Sequence, residues 1–337
     1  MNRKSSFFLS ILIILCISIC SILYFYNNDD INSKSNDYLY GYSNFINKQS
    51  KVSKVYIILV DGLRYDKVMP NMENTVKLIY DKKACLLKAR FDGPSNSRPG
   101  YARIFTGSPN NINKIWRNDQ KSLCPIPSIF EIAKKNSLKT ACSSYFWVGQ
   151  LFNKDYVTDK LNADTSQSIQ YTYLYSNEKE KDSKVFDMAA NIIRDHNPNI
   201  CLIHPMEVDI SGHRYGSIST AYDKSVSNTD ILIEEFLKSV DLKDTLVMII
   251  SDHGHRDGGG HGGKSSSEVD VPIILIGDMV KGGIYDIVVS QEDIAPTICA
   301  VLDIPFSDYM TGTIIDFPIK NGRTIFMGRN NRLFFNP

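Results

Sequence analysis

The sequence predicts an α/β fold in which a largely parallel central sheet is sandwiched by helices and preceded by one N-terminal transmembrane helix. Three observations predict it. Four short apolar runs, "KVYIILVDG", "NICLIHPMEVD", "TLVMIISDHG" and "VPIILIGD", stop abruptly at acids or histidines. Continuous apolar strands with that ending belong in a parallel sheet buried on both faces, with chemistry at the carboxyl ends. Helical patterns lie among them, "SIFEIAKKNS", "DKSVSNTDILIEEFLKSV" and "EDIAPTICAVLDI", with apolar residues recurring at three and four. Finally, an uncharged apolar run from Phe7 to Tyr26 is long enough, as a helix, to cross the roughly 30 Å of a hydrocarbon core.

Taken in order, residues 1–6 are a short cytoplasmic tail carrying Arg3 and Lys4, and residues 7–26 are the anchor. A cleaved signal peptide is the rival reading, but the apolar run exceeds a typical signal core and no Ala-x-Ala-like site follows. A lipoprotein reading of Cys20 is weaker, because Ile19 stands where a small residue is expected. Basic residues before the span, with Asp29 and Asp30 after it, place the remainder outside the cytoplasm, with Tyr24, Phe25 and Tyr26 at the outer interface. Residues 27–53, rich in Asn, Ser, Lys and Asp around "YLYGYSNF", read as a stalk, and residues 54–337 as the catalytic domain. At 337 residues, 43% hydrophobic and 22% charged, the chain can bury a substantial core. A net charge of +1 gives no basic field, which argues against a nucleic acid polymer as partner. Beyond the span, Cys85, Cys124, Cys142, Cys201 and Cys299 are too scattered for a disulfide framework and form no Cys-x-x-Cys pair. They read as small buried hydrophobes, with a single bridge left open.

The chemistry collects at strand ends. Asp61 follows "YIILV"; Asp209 and His213, in "EVDISGHRYG", are four apart, so both can face one ion from a single turn or compact loop. Asp252 and His253 end "LVMIIS", and His261 follows across a glycine run in "SDHGHRDGGGHGG". Any one of these has an ordinary explanation as a helix cap or a satisfied polar group. Together, aspartates and histidines at strand termini match a two-metal site, where ions about 4 Å apart clamp the attacking and leaving oxygens of a displacement. A nucleophile is at hand in "DGPSNSRPGYARIFTGSPN". Pro99 suits the first turn of a helix that Gly107 stops, which puts Ser97 at the helix N-terminus, where free N–H groups favour an alkoxide and a transferred anion. His204 and His255 are spare imidazoles with a supporting or structural role. Arg98, Arg103, Arg214 and Arg256 are candidates for phosphate contacts, against the ordinary reading of solvated or paired arginines. Tyr145, Phe146 and Trp147 could stack on a leaving group or simply pack.

The ordered set Asp61, Ser97-x-Pro99 with Thr106-Gly107 closing the helix, Asp209-x-x-x-His213, Asp252-His253-Gly254 and His261-Gly262 resembles the alkaline phosphatase superfamily. Within it the chain is most similar to the type I phosphodiesterase/nucleotide pyrophosphatase branch and to the glycosylphosphatidylinositol ethanolamine phosphate transferases. The resemblance runs from about Val55 to Pro305. It implies two divalent metal ions of zinc type, one held by Asp209, His213 and His261, the other by Asp61, Asp252 and His253, with Ser97 bridging towards a phosphate. It further implies that Asn118 binds a phosphate oxygen. Sulfatases are similar at "SRPGYARIFTG", but their nucleophile is a modified residue in a Cys/Ser-x-Pro-Ser-Arg motif, and Gly100 and Tyr101 stand in place of that Ser and Arg. Gly62 likewise follows Asp61 where sulfatases pair acids. The expected activity is therefore that of a metal-dependent phosphoric ester hydrolase of phosphodiesterase type, acting on a phosphate-ester substrate through Ser97, on a membrane-anchored extracytoplasmic domain. The alternative is a phosphoethanolamine-type transferase with a lipid or glycan acceptor; a sulfatase, or a binding protein without turnover, fits the residues less well.

Overall fold

The computed structural model describes residues 52–317, 326–327 and 333–334. The tail, the anchor and nearly all of the stalk lie outside the described residues. Among those described, no helix is long and apolar enough to cross a membrane. The expected boundary of the stalk shifts slightly, because Val52 is already packed in the core and Ser53 donates its N–H to the Asp244 carbonyl at 2.8 Å.

Nine strands form one sheet: β1 (Lys54–Leu59), β2 (Ala84–Arg90), β3 (Thr140–Tyr145), β4 (Leu161–Ala163), β5 (Tyr171–Tyr175), β6 (Ile200–Ile203), β7 (Thr245–Ile250), β8 (Asp270–Ile276) and β9 (Gly283–Val289). Their spatial order is β4-β5-β3-β6-β1-β7-β8-β2-β9. All but β4 and β8 run the same way. β1 lies at the middle, parallel to β6 on one side and β7 on the other, and is buried on both faces, which is why its sequence is a continuous apolar run. Because side chains alternate, Val55, Ile57 and Leu59 enter one core layer and Tyr56, Ile58 and Val60 the other.

Helices α1 (Glu73–Tyr80), α2 (Ser97–Thr106), α3 (Ile129–Lys135), α4 (Trp147–Phe152), α5 (Asp182–His196), α6 (Glu207–Tyr215), α7 (Thr220–Leu237) and α8 (Ile294–Leu302) cover the two faces. On the first, α2, α3, α4 and α8 pack around Phe105, Phe130 and Phe152, whose rings lie 5.1–5.9 Å apart. On the second, α1, α5 and α7 bury Ile79, Val185, Phe186, Val226, Ile233 and Phe236. The sandwich is thus as expected, and the three helical runs read from the sequence lie within or across α3, α7 and α8.

One expectation is corrected. The run "VPIILIGD" does not join the parallel set: β8 is antiparallel to both β7 and β2. A parallel neighbour would require the chain to cross back to the opposite sheet edge. The segment after β7 stays at the carboxyl edge instead, and the strand re-enters from there. Ser97 lies at the N-terminus of α2 as expected, as its first residue after the cap position Asn96, with Pro99 in the first turn. The end of α2 is as expected, with Gly107 at φ +65° donating its N–H to the Arg103 carbonyl at 3.0 Å. All five cysteines in the described region are free, four of them buried.

Candidate metal centre

The three adjacent central strands deliver the site. Asp61 follows β1, His204 follows β6, and Asp252 and His253 follow β7, all at the carboxyl edge. Asp209 and His213 lie one turn apart on α6; Asp209 is buried, and the half-exposed His213 brings its Nε2 to 3.6 Å from Asp209 Oδ1. The N-cap residue of α6, Met206, has no side-chain cap; the cap comes from a distance, as the Asp182 carboxylate accepts the N–H groups of Met206 (2.9 Å) and Glu207 (3.2 Å). His261 is carried by the glycine-rich loop, which is tied to the segment just before the nucleophile. Gly262 donates to Ser95 Oγ at 2.8 Å, Ser95 Oγ donates to the Gly263 carbonyl at 2.8 Å, and Gly263 donates to Glu268 Oε1 at 2.7 Å.

Two clusters result, Asp61 with Asp252 and His253, and Asp209 with His213 and His261, in each of which one ligand-type atom per residue lies within 4.8 Å of the others. A third grouping of the same kind joins Asp209, His253 and His255. Ser97 Oγ lies 3.2 Å from His253 Nε2, so the hydroxyl sits against the first cluster at the N-terminus of α2.

Hydrogen bonding sorts the histidines into two kinds. His253 Nδ1 faces the Gly254 carbonyl at 3.2 Å and His261 Nδ1 the Ser95 carbonyl at 2.6 Å. A carbonyl only accepts, so Nδ1 carries the proton and Nε2 turns a lone pair into the site. His253 Nε2 then stands 3.4 Å from Asp61 Oδ1 and 3.3 Å from Asp252 Oδ2, and His261 Nε2 stands 3.0 Å from His213 Nε2. His204 and His255 do the reverse, presenting Nε2 to Asp61 Oδ2 at 3.0 Å and to Asp209 Oδ1 at 2.8 Å respectively.

The electrostatics are those of a site built for cations. Asp61, Asp209 and Asp252 are all buried. Burial, then the charges of Asp61 and Asp209, pushes Asp252 well above the usual carboxylate range, and burial with Asp61 does the same to Asp209. Burial also opposes ionisation of Asp61, but hydrogen bonds from His204 and Tyr101 and the nearby imidazoles hold it down. Burial keeps His253, His255 and His261 neutral. Asp61 Oδ1 and Asp252 Oδ2 have no hydrogen-bond partner although both are buried. Orphaned carboxylate oxygens facing imidazole lone pairs are costly unless positive charge lies between them. The donor set, oxygen and imidazole nitrogen without thiolate, suits divalent ions of zinc type.

The remaining candidates separate clearly. Asn118 Oδ1 accepts the N–H of Arg98, next to the nucleophile, at 3.1 Å. Arg98 is buried and stacks over Trp147 at 4.5 Å, with its guanidinium donating to the Gln120 carbonyl at 2.7 Å and to Gln150. Arg103 is buried among Gln291, Asn110 and the Pro94 carbonyl, over the Phe91 ring. Arg214 and Arg256 are exposed. The side chains of Arg98 and Arg103 therefore brace the loops around α2. Tyr145, Phe146 and Trp147 pack on one another, with Tyr145 also against Tyr175.

Two residues that support the site were not read from the sequence as doing so. Tyr101 is buried and donates its hydroxyl to Asp61 Oδ2, with His204 Nε2 3.2 Å away. Its signal was its spacing: Ser97, Gly100 and Tyr101 share one face of α2 at i, i+3 and i+4. Gly100 is needed on that face, since a Cβ there would lie 2.8 Å from Asp252 Cβ. Asp182 lies far away in sequence and gave no local signal.

Comparison with known proteins agrees with this architecture. The family model described as Sulfatase matches residues 53–304. Among curated proteins, the human GPI ethanolamine phosphate transferase 2 catalytic subunit is 26% identical over 287 residues, covering 80% of this chain and 28% of its own length. The Schizosaccharomyces pombe GPI ethanolamine phosphate transferase 2 is also 26% identical, covering 87% of this chain and 42% of its own length. The chain thus spans less than half the length of either relative. Among solved structures, murine ectonucleotide pyrophosphatase/phosphodiesterase 5 superposes with a TM-score of 0.60 at 12% identity, covering 75% of this chain and 95% of that one. The alkaline phosphatase PafA gives a TM-score of 0.60 at 12% identity, covering 79% and 98%. These likenesses show the fold, which this chain shares with both proteins.

Proposed function

The chain belongs to the Sulfatase family, and from that premise we propose that it is a phosphoryl-group transferase in which Ser97 takes a substituted phosphoryl group from a phosphate diester. The observation that carries the reading is the position of Ser97 Oγ, on the first turn of α2 and 3.2 Å from His253 Nε2, beside two buried carboxylate oxygens without partners. Asp61, Asp252 and His253 would hold one divalent ion and Asp209, His213 and His261 the other; bound there, they would neutralise the charge on the phosphate oxygens and make the serine hydroxyl more acidic.

This chain's own residues supply the rest. Ser97 Oγ attacks phosphorus, an Oγ–P bond forms, and the bond to the leaving alcohol breaks, with the serine proton passing to that alcohol. In the first turn of α2 the Arg98 N–H is taken by Asn118, Pro99 has none and the Gly100 N–H goes to the Asn96 carbonyl, so it is the positive end of the helix dipole that favours an anion there. Asn118, fixed by the Arg98 N–H, has its Nδ2 amide left to donate to one of them. Tyr101 and His204 hold Asp61 by Oδ2 and so direct Oδ1 into the site. In the second half the hydroxyl of an acceptor attacks the Ser97 ester, and Oγ recovers its proton.

The curated relatives named as ethanolamine phosphate transferases favour a phosphoethanolamine group and an alcohol acceptor. Water as acceptor, the phosphodiesterase reading, uses the same first half. A sulfate ester is disfavoured because Gly100 and Tyr101 occupy the positions of the sulfatase Ser and Arg. The test uses the full chain in detergent with zinc, wild type beside Ser97→Ala, offered a phosphatidylethanolamine with a labelled headgroup, with and without a mannoside acceptor. Labelled mannoside, lost in the mutant, supports transfer; label released to water without acceptor dependence replaces it with hydrolysis. A mutant that turns over at the wild-type rate refutes Ser97 in either form.

A further inference from the structure

We propose that His255 is a positioning residue that holds the Asp209 carboxylate in place for a cation and does not itself ligate it. The proposal rests on the reading of Asp209 as a ligand. The grouping of Asp209, His253 and His255 invites the opposite view, that His255 is a ligand in its own right. Hydrogen bonding decides between them. His255 Nε2 lies 2.8 Å from Asp209 Oδ1. That is a hydrogen-bond distance, shorter than the 3.3–3.4 Å that separates His253 Nε2 from its carboxylates, so Nε2 of His255 is assigned the proton and has nothing to offer a metal. A carboxylate oxygen has a second lone pair, and Oδ1 is also the atom that faces His213 Nε2 at 3.6 Å and His261 Nε2 at 3.8 Å.

The surroundings are shaped to this ring. His255 is fully buried, and glycines make its slot: a Cβ on Gly62, at φ +73°, would lie 2.8 Å from Nε2, and one on Gly212 would lie 2.6 Å from Cδ2. Its carbonyl accepts from Arg64 Nη1 at 3.3 Å and Ser217 Oγ at 3.2 Å, so the backbone is fixed as well. Its Nδ1 is buried and makes no hydrogen bond of good geometry. His204 stands in the same relation to Asp61, with Nε2 on the carboxylate.

The experiment measures zinc stoichiometry and affinity of the full chain in detergent, stripped by chelator and titrated against a chromophoric competitor. His255→Ala should weaken one of the two ions about 10–100-fold, the range for residues that orient ligands. His255→Gln can present an amide N–H near the place of Nε2 and should retain most of the affinity. Gly212→Ala, which alters no ligand, should reproduce the alanine loss by displacing the ring, and with the glutamine variant it carries the test if His255→Ala does not fold. Wild-type affinity in His255→Ala or Gly212→Ala overturns the proposal, and so does a glutamine variant that loses an ion outright, because that marks a ligand. Asp209→Ala separates the two layers of inference: if it still binds two ions, the reading of Asp209 fails whatever His255 does.

Discussion

Removing the remote cap of α6 should weaken the fold in a way that identifies its cause. Asp182 is the first residue of α5, is 1% exposed, and accepts the N–H groups of Met206 and Glu207 at the start of the helix that carries Asp209 and His213. Its own N–H is accepted by Glu207 Oε1 at 3.2 Å. Asp182→Ala leaves amide donors of a buried helix end without an acceptor, and the lost cap with its desolvation penalty amounts to about 2–4 kcal/mol. The charge acts the other way. Burial, then Glu207, pushes Asp182 up from 3.8 to about 7, so the fold favours its neutral form. That contribution is present in full at pH values below the unfolded pKa and is lost as pH rises through the folded one, at a cost on the order of 4 kcal/mol. Asp182→Asn keeps an acceptor and never ionises, so its advantage over the wild type should grow from about pH 4 to about pH 7 and then level off. Urea unfolding of metal-free protein across that range reads both effects. An alanine variant within about 0.5 kcal/mol of wild type near pH 4, where the charge costs the wild type little and a surface substitution would fall, refutes the capping argument. An asparagine variant whose advantage does not change with pH refutes the charge argument.

Three further outcomes are expected. Tyr101→Phe deletes one of the two donors on Asp61 Oδ2 and should weaken one ion about 10–100-fold by zinc titration; unchanged affinity means that Tyr101 does not hold Asp61. Gly100→Ala should destabilise by about 1–3 kcal/mol in urea, despite alanine's better helix propensity, because its Cβ would meet Asp252 Cβ at 2.8 Å; a stabilised variant would show that α2 can shift freely. Zinc binding should strengthen as pH rises and release protons, since burial raises Asp209 and Asp252 and the ions must displace their protons while the lowered histidines contribute none. Calorimetry in buffers of different ionisation enthalpy checks this, and zero proton release would contradict it.

Much of the site was legible because ligand chemistry needs particular residue types at strand ends. Asp61, Asp209, His213, Asp252, His253 and His261 were picked out by an apolar run that stopped, a helical spacing or, for His261, a glycine run, and folding gathers them into two clusters. The direction of β8 was not legible, because an apolar run buried on both faces reads alike either way; what turned it was the length of chain spent at the carboxyl edge. Tyr101 was noticed only as a departure from the sulfatase motif, although its spacing from Ser97 already placed it on the same helix face. Asp182 and His255 were unreadable as partners, since capping across 24 residues and a ring slot made by Gly62 and Gly212 exist only after folding.

The place of β2 also governs how the chain can assemble. β2 is second in sequence, yet its neighbours are β8 and β9, which complete the sheet from the far end of the domain. During synthesis the segment Ala84–Arg90 must therefore wait for some 180 residues before it has a partner on either side. Until then it is an apolar strand with two open edges, the kind of segment that pairs wrongly with other chains. Ser97 waits with it, a few residues downstream. Translation stalled before β8 would thus leave a chain prone to aggregate, and its nascent form should depend on a chaperone for longer than a fold closed by local pairings.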